Sequence, residues 1–254
     1  MQLVLVEKQA GYAILTLNDP DHRNVFSLAM SAQVRAAFDE LEADDSMRCV
    51  VLTGAGKGFC AGGHLDELLE NKTRDRLWNI YEGFLRIAES RLATIAAVNG
   101  AAVGAGLNAA LACDVVVAAE SARFDARFLQ IAIGPGGGNT WRLRNLANLQ
   151  TVNAMVLFGE ILRGAEAAQA GLAWKCVSDE QLLPSAVELA ERAAVVPREL
   201  LVRTKDTIAR SASINDIRAA VENEIDTQEW SMQQPEFQAT VAELRRKISG
   251  RAAE

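Results

Sequence analysis

From Leu92 to Cys113 the chain carries no charged residue, and on length alone such a run would nominate a membrane span. Its own residues exclude that. Asn99, Gly100, Gly104, Gly106 and Asn108 interrupt the run, and Asp114 follows at once. The stretch Thr94–Ala119 reads instead as a buried strand, a glycine turn, a helix of small residues and a second buried strand. Thr94 to Val98 and Val115 to Ala118 are short apolar runs rich in branched side chains, as strands covered on both faces are. Gly104-Ala-Gly106 opens the helix, with residues small enough for another backbone or a ligand to come close. Two readings stay open here. The glycines serve tight packing of helix on sheet, or the free N–H groups at the helix start face a developing negative charge.

The 254-residue chain is long enough to bury a large core, and half of it is hydrophobic (50%) against 23% charged residues, an ordinary folded composition. A net charge of −7 argues against non-specific binding of nucleic acid. The N-terminus, Met1-Gln-Leu-Val-Leu-Val-Glu-Lys8, is too short and too early charged for a signal peptide. Cys49, Cys60, Cys113 and Cys176 lack paired spacing, so they read as free thiols of a cytoplasmic protein. Cys60 and His64 stand four apart, but with only two histidines in the chain no metal site is expected.

Before the uncharged stretch, Leu3–Glu7 and Ala13–Leu17 read as strands. Ser27 reads as the N-cap of a helix carrying Met30, Val34, Ala37, Phe38 and Leu41 on one face, and Cys49–Thr53 as a buried strand. Gly54 to Gly63 holds five glycines in ten residues, between that strand and the apolar-periodic Leu65, Leu68 and Leu69. Neither phosphate-loop pattern fits it, since no Gly-Lys-Ser/Thr ends it and the spacing is not G-x-G-x-x-G. A tight turn and a ligand-facing loop both remain open. Asn71–Asp75 is a polar surface segment and Leu77–Arg91 a helix. A further glycine cluster, Gly134-Pro-Gly-Gly-Gly-Asn-Thr140, leads into one helix over Trp141–Phe158. A short helix over Leu162–Gly171 and a last strand over Trp174–Val177 follow. Strand and helix alternate to this point, which predicts an α/β core over residues 1–195. Residues 196–254 read as helices only, with Ser213 and Asp216 capping one and Pro235 starting another. Phe237, Val241 and Leu244 there need a surface to pack on, which a neighbouring subunit would supply.

Several of these segments fall in a telling order. Val51-Leu-Thr-Gly-Ala-Gly-Lys-Gly-Phe-Cys-Ala-Gly-Gly63 is followed by Ala97-Val-Asn-Gly-x-x-x-Gly-x-Gly106 and Ala112-Cys-Asp114. Ile131–Thr140 and Leu157-Phe-Gly-Glu-x-Leu-x-x-x-Glu-Ala-x-x-x-Gly-Leu172 come after them. Together they resemble the crotonase (enoyl-CoA hydratase/isomerase) superfamily over nearly the whole chain. The resemblance implies an α/β spiral of ββα turns with a helical C-terminal oligomerisation region, assembled as a homotrimer or hexamer. It implies an acyl-CoA thioester as partner, coenzyme A entering as part of the substrate and no separate cofactor. The thioester oxygen would sit between the N–H groups of Gly63 and Ala105. Substrate contacts are expected from Arg23, Cys60, Ala61, Gly63, His64, Leu65, Asp66, Gly104 and Phe128, with Lys57, Arg245, Arg246 and Lys247 as further phosphate partners.

One departure bears on the chemistry. Family hydratases carry two glutamates that hold and deprotonate water, and their places here are taken by Asn108 and Phe128. An amide can orient a water but cannot act as general base, and a phenyl ring offers only an apolar wall. The remaining proton carriers by position are Asp125 and His64, with Asn108 as an orienting group. Two functions stay open: an acyl-CoA enzyme stabilising a thioester enolate, by isomerase-type proton transfer rather than hydration, or a non-catalytic fatty acyl-CoA-binding protein. Leu68, Leu69, Trp78, Tyr81 and Phe84 line an acyl pocket or simply face the core.

Overall fold

A computed structural model of the chain describes residues 1–70 and 73–251. The segment expected to be polar surface, 71–75, lies partly outside these, at Asn71 and Lys72. The contacts divide the chain into two compact units, Met1–Val195 and a second that begins at Val196.

The first unit opens with β1 (Val4–Lys8) and β2 (Tyr12–Leu17), an antiparallel pair. α1 (Leu28–Ala43) then starts where Ser27 Oγ accepts the Met30 N–H at 3.1 Å, and its buried face carries Met30, Val34, Ala37, Phe38 and Leu41. β3 (Cys49–Gly54), α2 (Leu65–Glu70), α3 (Arg74–Ala88) and β4 (Ala93–Val98) follow. Next come β5 (Ala101–Val103), α4 (Ala105–Leu111), β6 (Val115–Ala119) and β7 (Arg123–Asp125). The unit closes with α5 (Asn139–Leu146), α6 (Leu149–Leu157), β8 (Ile161–Arg163), α7 (Gly164–Gln169), β9 (Lys175–Val177) and α8 (Leu182–Ala194).

The strands form two sheets. One has six strands in the order β1-β2-β3-β4-β6-β9, parallel from β2 onward, and the other has three in the order β5-β7-β8. Two passages through the large sheet are each followed by a short strand of the small one and then a helix: β4, β5, α4 and again β6, β7, α5. This is the expected spiral of ββα turns. β4 and β6 are covered on both faces, and their branched, uncharged sequence follows from that. Asp114 ties the two together at their start: its carboxylate accepts the Thr94 N–H at 2.8 Å and the Thr94 hydroxyl at 3.0 Å.

Three strands of the small sheet were not foreseen. Each is three residues long, too short for an alternating pattern to show, and β8 occupies the start of the span expected to be helix from Leu162. The single helix expected over Trp141–Phe158 is two, because Asn148 caps α6 by accepting the Thr151 N–H at 3.0 Å. α3 begins and ends three residues before the expected bounds.

The second unit contains α9 (Arg198–Ser211), α10 (Ile217–Met232) and α11 (Pro235–Arg251). Pro235 opens α11 as expected, but the cap of α10 is Asp216 alone, accepting the Ala219 N–H at 3.0 Å. The Ser213 hydroxyl turns back to the Arg210 carbonyl at 3.1 Å instead. α9 and α10 are joined by Thr207 and Thr227, whose hydroxyls lie 2.9 Å apart. No helix among the described residues is long and apolar enough to cross a membrane.

Candidate functional site

The first glycine cluster folds against two asparagine side chains. Asn24 Nδ2 donates to the carbonyls of Ala55 and Gly58, both at 2.9 Å, and Asn99 Nδ2 donates to those of Gly54 at 2.8 Å and Gly56 at 3.0 Å. With its carbonyls held this way, the loop runs on to a bridge with β5. Cys60 N–H donates to Ala101 O at 2.9 Å and Val103 N–H to Cys60 O at 3.0 Å, pairing Cys60 with Ala102 in parallel. Three residues beyond that bridge on either side stand Gly63 and Ala105. The parallel pairing therefore explains why two residues so far apart in sequence line one cavity, of about 880 Å³. Glycine at 106 is needed for this approach, since a Cβ there would run into the Cys60 carbonyl. Ala105 is the first residue of α4, so its N–H has no partner within the helix. Neither that N–H nor the one of Gly63 donates a hydrogen bond among the described residues.

The cavity interior is mostly apolar, with Val25, Leu68, Leu77, Ile80 and Phe84 on its walls. The Phe128 ring covers Gly104, 3.9 Å from where a Cβ would be. Asn108 faces the cavity but is buried and held at both ends. Its Nδ2 donates to Gly136 O at 3.0 Å and its Oδ1 accepts from Asn139 Nδ2 at 2.9 Å. Tyr81 is half-buried, its hydroxyl occupies the space a Cβ on Gly136 would need, and burial pushes its pKa up. It is therefore a neutral proton donor at pH 7. His64 lines the cavity with Nδ1 buried and without a hydrogen-bond partner. At the mouth are Arg23, Leu65, Asp66 and Arg127, all exposed. Arg23 and Arg127 both take positive φ, 56° and 20°, a conformation that non-glycine residues adopt rarely.

Of the site residues expected from sequence, Arg23, Ala61, Gly63, His64, Leu65, Asp66, Gly104, Ala105, Asn108 and Phe128 line this cavity. Two do not. Asp125 is buried in β7 and its carboxylate is occupied by the Arg127 guanidinium and, at 2.9 Å, by the Arg127 N–H. What it lends the site is its backbone, whose carbonyl accepts the Gly104 N–H at 2.9 Å and so sets the residue before Ala105. Cys60 is fully buried, with burial pushing its thiol up to about 12, and it serves packing and the β-bridge. Among the suspected acyl-pocket residues, Leu68, Tyr81 and Phe84 face the cavity, whereas Trp78 lines a neighbouring one and Leu69 lines neither. Lys57 is exposed and away from the cavity lining, and Arg245, Arg246 and Lys247 belong to the second unit. Asn139 and the polar role of Tyr81 were not foreseen. The signal near Asn139 was the glycine cluster of the family-like stretch Ile131–Thr140, which gave that side chain no role.

Comparison with known proteins matches the chain to one family. The family model for enoyl-CoA hydratase/isomerase matches residues 7–248. A probable enoyl-CoA hydratase of Mycobacterium tuberculosis strain H37Rv, EchA14, is 42% identical over 247 residues, covering 94% of this chain and 96% of that protein. The 1,2-epoxyphenylacetyl-CoA isomerase of Escherichia coli K12 is 34% identical over 256 residues, covering 98% of this chain and 97% of that protein. Among solved structures, an enoyl-CoA hydratase from Bacillus anthracis superposes with a TM-score of 0.91 at 27% identity, covering 97% of each chain.

Proposed function

The chain belongs to the enoyl-CoA hydratase/isomerase family, and from that premise we propose that it binds an acyl-CoA thioester and moves a proton on the acyl chain through a thioester enolate. In this reading the thioester oxygen lies between the N–H groups of Gly63 and Ala105. Removing a proton from the carbon beside the thioester places negative charge on that oxygen, where each aimed donor is worth roughly 3–4 kcal/mol by analogy with other oxyanion sites. His64, whose side chain lines the same cavity, carries the proton. The Tyr81 hydroxyl gives its own proton to a second carbon, and the proton held by His64 then restores the hydroxyl by way of solvent in the cavity. Arg23, exposed on the cavity lining, would meet a phosphate of coenzyme A in this reading. Assembly of the chain with copies of itself belongs to the same reading.

One observation favours proton transfer over addition of water. At positions 108 and 128, which the resemblance assigns to the glutamates of family hydratases, the cavity carries an amide bonded to Gly136 and Asn139 and a phenyl ring. The same immobilised amide supports a second reading, an acyl-CoA-binding protein without turnover. The test is mass spectrometry of 2- and 3-enoyl-CoA thioesters incubated with the protein in heavy water. Deuterium uptake or double-bond migration without added water, abolished by His64→Ala, is the expected result. A hydrated product overturns the preference for proton transfer. An unchanged thioester, with binding measured on the same sample, leaves the binding protein. No binding of any thioester removes both readings.

A further inference from the structure

Beside the first cavity lies a second, of about 690 Å³, and the two share Leu77 and Tyr81 of α3 as a common wall. Trp78, Leu85 and Trp141 make the rest of it greasy. Its charged side chains are both cations, Arg74 and Arg142, and no carboxylate among the described residues lines it. Arg142 is the unusual one. Only 8% exposed, it makes no ion pair among the described residues, and its Nε is buried without a hydrogen-bond partner. Burial lowers its pKa, against a smaller opposing effect from the Cys113 thiol, and no carboxylate is among the causes. A buried guanidinium left uncompensated is strongly unfavourable, and it becomes favourable when a hydrogen-bonding anion arrives. The planar fork of arginine matches a carboxylate in particular.

Arg142 also stands in a meaningful place. It lies on α5 one turn after Asn139, the residue bonded to Asn108 in the first cavity. One turn from 139 to 142 is about 4.5 Å along the helix axis. An acyl chain whose thioester is at Gly63 and Ala105 and that runs along the shared wall of Leu77 and Tyr81 would bring its far end into the cavity that Arg142 lines.

We propose that the second cavity is the distal part of the acyl site and that Arg142 pairs with a carboxylate at the end of the acyl chain, making the ligand a dicarboxylic acyl-CoA thioester. The inference rests on the acyl-CoA reading above. It is tested by isothermal titration calorimetry of the full chain with adipyl-CoA, hexanoyl-CoA and free coenzyme A, and again with Arg142→Met. The wild type is expected to bind adipyl-CoA about tenfold or more tightly than hexanoyl-CoA, the gain of charge-assisted hydrogen bonds to a buried cation. Arg142→Met is expected to abolish that preference, bringing adipyl-CoA binding down to the level of hexanoyl-CoA on the same variant. Equal or tighter binding of hexanoyl-CoA by the wild type overturns the inference while leaving acyl-CoA binding intact. So does a preference that survives Arg142→Met. If an acid of a second copy neutralises Arg142 instead, the wild type shows no preference and Arg142→Met shifts the sedimentation coefficient, which also overturns it. Failure of both thioesters to bind removes the acyl-CoA reading and this inference together. The comparison of ligands on the wild type stands even if the variant misfolds.

Discussion

At position 105 a single atom can be removed with little other change. Ala105 is the first residue of α4, where proline is well tolerated because that N–H has no helical partner to lose. The preceding residue, which proline restricts, is Gly104, and it has no Cβ to clash. Ala105→Pro should therefore delete one oxyanion donor and keep the fold. Deuterium exchange into a thioester substrate should fall about 100- to 1000-fold, with the thermal midpoint close to the wild type. A folded variant with undiminished exchange would take Ala105 out of the site. That Gly63 and Ala105 line one cavity was legible because both lie in glycine motifs at fixed distances from strands. Asp125 and Cys60 were misplaced for a related reason: each is close in sequence to cavity residues, but β7 and the Cys60 bridge turn their side chains inward. The Asn108–Asn139 contact joins residues 31 apart, and Arg142 lies in a run that reads as ordinary helix. Nothing local in the chain announces either.

At the scale of elements, the cavities depend on where α3 stands, since Ile80, Tyr81 and Phe84 come from it. α3 packs along α1 and is pinned there by Arg86. Its guanidinium reaches Asp39 Oδ1 at 2.8 Å and Glu42 Oε2 at 2.8 Å, and Glu42 also accepts the Arg91 N–H at 2.6 Å. Burial by itself raises the Glu42 pKa, but Arg86 and the Arg91 N–H outweigh it and hold the carboxyl below its ordinary 4.5. The unfolded chain thus binds this proton more readily than the folded one. The stabilisation is complete above the ordinary value and is lost as pH falls through the folded one. Glu42→Gln should cost about 1–3 kcal/mol in urea unfolding at pH 7, and the gap to wild type should close below about pH 4.5. A gap that is unchanged at acid pH would mean that the carboxylate is not what matters. The long elements, α1, β3, β4 and β6, were legible from period and burial. The small sheet was not, because strands of three residues carry no period and their pairing is decided by the spiral as a whole.

For the whole molecule, the decisive feature is apolar surface that the single chain leaves uncovered. On α10, Ile217, Val221 and Ile225 recur every fourth residue and are 76%, 49% and 45% exposed. On α11, Phe237, Val241, Leu244 and Ile248 follow one another at intervals of four, three and four, the spacing of a packing seam. Leu244 and Ile248 are 52% and 69% exposed. Stripes of this kind on helices are stable in water when another surface covers them. A second copy of the chain fits the expectation of a trimer or hexamer, and a net charge of −7 keeps such an assembly soluble. Sedimentation velocity should show a trimer or hexamer at micromolar concentration, with a thermal midpoint that rises with concentration. Leu244→Glu, which places a charge in the seam, should shift the population to smaller species without loss of helix signal. A chain that stays monomeric at every concentration, with the same midpoint throughout, would mean that these stripes serve something other than self-assembly. In that case the acyl-CoA site must be complete within one copy.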